Sequence, residues 1–148
     1  MKKFLVLIVF LAALGYCETI GVIDSQQVIQ SYNKAITAQA DLAQKQVEIQ
    51  DYFLIKQKEY EAQITSTSTQ EEILAVRQQL EKDIIPKKQE LLDLNNVLST
   101  EIESDIMAAT KKVADQLRVD VVLDNKAVFV GGIDMTSLVI AKLNSELE

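Results

Sequence analysis

The chain has 148 residues, 48% apolar but only 5% aromatic, with no Trp and a formal net charge of −7. It contains no His, which removes His-based metal sites and Ser–His–Asp triads, and it shows no basic stripe or nucleic-acid motif, so nucleic-acid binding is not expected. Four Gly and one Pro leave few breakers, which favours long helices on one small body over a loop-rich globule.

Residues 1–17, MKKFLVLIVFLAALGYC, read as a signal peptide. Lys2 and Lys3 form its positive end. The apolar run Phe4 to Leu14 is too short to span a bilayer comfortably. Cleavage after Cys17 places Gly15 and Cys17 at the two small positions and, by removing two lysines, takes the charge from −7 to −9. A retained anchor is the alternative. Cys17 is the single cysteine, so no intramolecular disulfide is possible. Lipidation of Cys17 is a further alternative, opposed by the bulk of Tyr16 before it.

Ile20 to Asp24 reads as a first, β-branched strand. Roughly ninety residues without Gly follow. Their first half, about Ser25 to Ile64, carries a seam at 28, 32, 35, 39, 42, 46, 49, 53, 56 and 60, in steps of four and three. Gln and Lys dilute this coiled-coil pattern. The second half, about Gln70 to Leu117, has its stripe at 73, 76, 80, 84, 87, 91, 94, 98, 102, 106, 109, 113 and 117. From Leu80 it repeats every eleven residues through Leu91, Ile102 and Val113, a period that favours straight or slightly right-handed winding. Pro86 lies inside this helix and predicts a kink or hinge, with the apolar stripe crossing it in phase.

Val119 to Asp124 and Ala127 to Gly131 read as two more strands, with Asn125-Lys126 as a hairpin turn between them. Asp134 is a candidate N-cap for a last short helix, with Leu138, Ala141 (or Lys142) and Leu143 as its buried stripe. One strand before the helices and two after them make Ile64 to Glu72 the tip of a hairpin, because the chain has to leave the sheet and return to it. Two legs of roughly 60 Å each are expected at 1.5 Å per residue. Thr69-Gln-Glu-Glu72 is a capping box for the return leg. The resulting fold class is α+β. A long antiparallel helical hairpin, residues 25–117 with its tip near 65–70, stands on a small β body of residues 18–24 and 118–148.

This arrangement resembles the Skp/OmpH family of periplasmic chaperones. Ile20-Gly-Val-Ile-Asp-Ser-Gln-Gln-Val28 is similar to its opening strand and helix start, and Leu80-Glu-Lys-Asp-Ile84 to its return arm. Val113 to Leu117, Val121 to Val128, Ile133 to Thr136 and Val139 to Leu143 are similar to its C-terminal strands and last helix. The resemblance implies a periplasmic homotrimer whose strands form one barrel-like body, with three helical arms enclosing unfolded outer-membrane β-barrel proteins. Three short strands are too few for a stable sheet alone, which fits that implication. The expected trimer core is Ile20, Val22, Val121, Leu123, Val128 and Val130.

The implied function is an ATP-independent holdase that prevents client aggregation. No phosphate-binding loop is present, and no cofactor, metal or catalytic residue is expected. Ile49, Phe53 and Tyr60 are candidate client contacts, against the alternative that they pack within the hairpin. Family members are commonly basic, whereas residues 34–112 here carry ten basic and fourteen acidic side chains. Contact with a membrane surface or lipopolysaccharide is therefore doubtful. The competing function is a structural or adaptor coiled-coil protein of the cell envelope, with or without a lipid anchor at Cys17.

Overall fold

The computed structural model describes residues 18–145. The expected signal peptide, its cleavage site and any lipidation of Cys17 lie outside the described residues. The elements in chain order are β1 (Ile20–Ile23), α1 (Ser25–Ser31), α2 (Asn33–Glu61), α3 (Gln70–Leu117), β2 (Val121–Asp124), a 3-10 turn (Asn125–Ala127), β3 (Ile133–Asp134) and α4 (Thr136–Ser145).

The hairpin is built from α2 and α3. Chain reversal occurs over residues 62–69, where Ser68 donates its amide to Thr65 O and Thr65 donates its own to Ser68 Oγ. The capping box forms: Thr69 Oγ1 accepts from the Glu72 amide, and Glu72 Oε2 accepts from the Thr69 amide at 2.8 Å. The legs are unequal, contrary to expectation. α2 has 29 residues and α3 has 48, about 44 and 72 Å at 1.5 Å per residue. The difference arises because the last turns of α3 belong to the body. Ala109, Val113 and Ala114 are buried with Val28, Tyr32, Met135, Val139 and Leu143 in one core. The outgoing leg is also not one helix: it breaks at Tyr32, which is extended (φ −83°, ψ 114°). α3 continues through Pro86, which cannot donate an intrahelical bond to the Lys82 carbonyl and whose ring crowds that carbonyl.

The sheet corrects the hairpin expected between the last two strands. Its order is β2-β1-β3 and both pairings are parallel. Asn125-Lys126 does not reverse the chain. The Asp124 carboxylate accepts the Lys126 amide, starting the 3-10 turn, and Asn125 Nδ2 donates to Asp24 Oδ2. The chain then crosses to the far edge of β1, so Ala127–Gly131 is not a strand and the third strand is Ile133–Asp134. Gly131 and Gly132 make this crossing at φ +94° and +91°, a conformation that favours glycine. A Cβ on Gly132 would collide with Val22 Cγ2.

Parallel pairing puts Ile20 opposite Val121 and Val22 opposite Leu123, on the sheet face away from the core. The alternate residue Gly21 faces inward, where a Cβ would collide with Met135 Sδ and approach Val119 Cγ1 to 2.9 Å. The buried stripe of the last helix keeps the expected Leu143 and differs at its other positions. Thr136, Val139 and Leu143 are buried, while Leu138 and Ala141 are exposed. Asp134 accepts the Thr136 amide at 2.9 Å.

Candidate functional site: the two faces of the helical hairpin

Along α3 every seam position from Ile73 to Val113 is at least partly covered. On the outgoing leg Gln39, Gln46 and Phe53 are exposed and the residue before each, Ala38, Lys45 and Tyr52, is covered in its place, so the seam runs through 38, 45 and 52 and not through the expected 39, 46 and 53. Ile49 and Phe53 lie together in a shallow groove of about 290 Å³, with Ile84 and Leu91 across it. Tyr60 is not part of that groove. Its hydroxyl donates to Asp83 Oδ2 at 2.6 Å, and the hydrogen bond to Asp83 raises its pKa above the usual phenol value. Tyr60 thus closes the hairpin near its tip.

In two antiparallel helices packed along their seams, the residue after each seam residue faces the same side of the pair, and the residue before it faces the other side. This follows from the common right-handed winding and the opposed directions. The preceding-residue face is polar and tied across the hairpin. Lys34 pairs with Asp105 at 2.9 Å and with Glu101 at 3.2 Å. Lys45 pairs with Glu90 at 3.1 Å. Hydrogen bonds from Lys45 and then Lys87 hold the Glu90 carboxyl below its usual range.

The following-residue face carries most of the exposed large apolar side chains of the hairpin, although the return leg also places Arg77, Glu81, Lys88 and Glu103 there. Ile29, Ile36, Val47 and Leu54 on the outgoing leg, and Leu74, Ile85, Leu92 and Met107 on the return leg, are all exposed. Within the hairpin, the other exposed large apolar side chains outside the seam, Ile55 and Val97, lie on the preceding-residue face. From Ile29 to Gln57 the outgoing leg carries no charge at these positions. At the base this face opens into a cleft of about 630 Å³, lined by Ile29, Ile106, Met107, Val122 and Leu123 among others. Thr110 borders the cleft, and its buried hydroxyl has no hydrogen-bond partner. Sequence reasoning stopped at the seam and missed this second stripe. The signal was present one residue further on, at the same alternation of three and four.

The expected trimer residues fall in two groups. Ile20, Val22, Val121 and Leu123 share the outer sheet face, and all but Val22 are exposed. Val128 and Val130 are outside the sheet, on the crossing segment; Val128 is half-buried and Val130 is 85% exposed. Phe129 between them is fully exposed and was not singled out from the sequence. Among the described residues no cluster of side chains suits a metal ion, and no helix is long and apolar enough to cross a membrane.

Residues 19–143 match the profile of a family described as outer membrane protein (OmpH-like). No curated protein matches the chain. Among solved structures the fold is similar to that of a candidate outer membrane chaperone (OmpH-like) from Caulobacter crescentus CB15. That likeness has a TM-score of 0.55 at 15% identity and covers 89% of this chain and 87% of the other.

Proposed function

The chain belongs to the OmpH-like family, and from that premise we propose that it is an ATP-independent holdase of the periplasm. In this reading it keeps unfolded outer-membrane β-barrel proteins from aggregating. The observation that carries the proposal is the two-faced hairpin. One face is polar and is tied by ion pairs across the legs. The other carries eight exposed large apolar side chains and leads to a cleft at the base. Exposed apolar side chains gathered on one side of a helical pair favour an interaction site there. A client strand that alternates apolar and polar side chains meets such a face at many weak points, so release needs no nucleotide. Ile49 and Phe53 add to this surface where the seam is open. Tyr60 serves the hairpin itself.

The working unit in this proposal is a homotrimer. The outer sheet face, with Ile20, Val22, Val121 and Leu123, joins three copies, and Val128 to Val130 cover the free strand edges of a neighbour. Exposed apolar strands with open edges call for such partners. Residues 1–17 act as the export signal, and the acidic balance keeps the arms off anionic lipid.

The test is dilution of a urea-unfolded β-barrel membrane protein into buffer containing the purified protein, without nucleotide, followed by light scattering. The wild type holds the client in solution. Val47→Glu with Leu54→Glu raises the amount of protein needed by about tenfold, a loss of 1.4 kcal/mol in affinity, with unchanged helix content. Aggregation at the same rate with and without the protein would leave the envelope adaptor reading in its place.

A further inference from the structure

The outgoing leg breaks at a place where the sequence has no breaker. Ser31-Tyr32-Asn33 contains neither Gly nor Pro, yet α1 ends at Ser31 and α2 begins at Asn33. A helix break leaves carbonyls before it and amides after it without intrahelical partners. Here one side chain of the last helix satisfies both sides. Asn144 Nδ2 donates to Ser31 O at 2.9 Å, and Asn144 Oδ1 accepts the Asn33 amide at 2.9 Å. A carboxamide offers a donor and an acceptor in one plane, as a peptide group does, and it replaces the missing helical turn. Between these two bonds the Tyr32 ring is buried, and its hydroxyl donates to Asp105 on α3 at 2.9 Å.

The return leg has no such break. α3 runs unbroken from the tip into the core, so the arm is attached to the body by one continuous rod and one jointed rod. Helices pack about 8–10 Å apart, so bending the pair by about 10° changes their relative path by about 1.5 Å, the rise of one helical residue. A continuous helix resists that change through its hydrogen bonds. A single extended residue, whose rise is about 3.3 Å, can absorb it.

We propose that Tyr32 is the pivot of the arm and that Asn144 is the latch setting its resting angle. This inference rests on the reading of the hairpin as a client-holding arm. Asn144 is a positioning residue: it acts on the arm root from the C-terminal helix and lies off the apolar face. Control of arm angle through this latch would set the width of the space available to a client.

The experiment compares the full-length exported chain with its Asn144→Leu variant, which keeps the side-chain size and removes both bonds. Spin labels at Ser66→Cys on the tip and Ser137→Cys on the body, diluted with unlabelled copies, report the arm angle as a distance distribution. Hydrogen exchange reports the latch. The expected result is a broader distribution and an Asn33 amide that exchanges about tenfold faster, with β1 and the 106–114 segment of α3 unchanged. An unchanged distribution overturns the proposal. So does an equal acceleration at every amide, which would make Asn144 a source of general stability alone. If the leucine variant does not fold, Asn144→Ser, too short to reach both groups, replaces it with the same criteria. Neither readout involves a client, so failure of the latch and failure of the holdase reading are separate results.

Discussion

Asp105 ties the two legs together at the root of the hairpin. It accepts from Tyr32 Oη and from Lys34 Nζ, each at 2.9 Å, and joins both legs at the level where the body ends. The hydrogen bond from Lys34, helped by the one from Tyr32 and opposed by partial burial, holds its carboxyl below the usual aspartate value. A carboxylate whose native pKa is depressed contributes stability above its unfolded pKa and loses it as pH falls through the lower native one. Asp105→Ala removes an acceptor from a buried hydroxyl and one partner from an ion pair, at a cost of about 1–2 kcal/mol at neutral pH. Urea midpoints across the acid range are the check: the gap between wild type and variant closes as pH falls below the ordinary carboxylate value. A gap of constant size would show that the charge on Asp105 does not contribute.

At the scale of elements, the two ends of α3 are finished differently. Its start has the full capping box at Thr69 and Glu72. Its end has Arg118 in the left-handed region at φ 56°, donating its amide to Ala114 O and Asp115 O. That conformation penalises a residue with a Cβ, and glycine is the common occupant. Arg118→Gly is therefore expected to stabilise the protein by about 0.5–1 kcal/mol, read as a higher melting temperature. A lower melting temperature would mean that the arginine side chain contributes more than the backbone strain it imposes. The long helix thus closes without a glycine because it ends inside the body, where Val119 donates to Ala114 O at 2.9 Å and is itself buried.

For the whole molecule the question is which part holds copies together. A three-stranded parallel sheet with strands of four, four and two residues is small for an isolated domain, and its outer face is apolar. In the proposed trimer the contact lies in the body. Phe129→Asp is expected to reduce the sedimenting mass to that of a single protomer. Removal of about 11 residues, three helical turns, from each leg is expected to leave the trimer intact and to shrink the largest client it holds. A trimer that survives Phe129→Asp and dissociates on shortening would place the contact in the arms.

The sequence alone determined the hairpin and its tip, because their signals are local. An apolar residue every three or four positions and the pair Thr69–Glu72 act over one or two helical turns, and the same physics operates wherever the segment sits. It also placed strands at Ile20 to Asp24 and Val119 to Asp124, which the structure shortens to Ile20–Ile23 and Val121–Asp124. The tertiary structure decided the features in which distant segments meet. Asn125-Lys126 has the composition of a hairpin turn, but the bond from Asn125 to Asp24 and the two glycines before Ile133 send the chain across β1 into a parallel pairing. Ser31 to Asn33 reads as uninterrupted helix, and Asn144, more than a hundred residues away, supplies one hydrogen bond to each side of the break. The exposed face of the arms lies between these cases. Its residues recur as regularly as the seam, but a stripe in one helix acquires a side only when the antiparallel partner is in place.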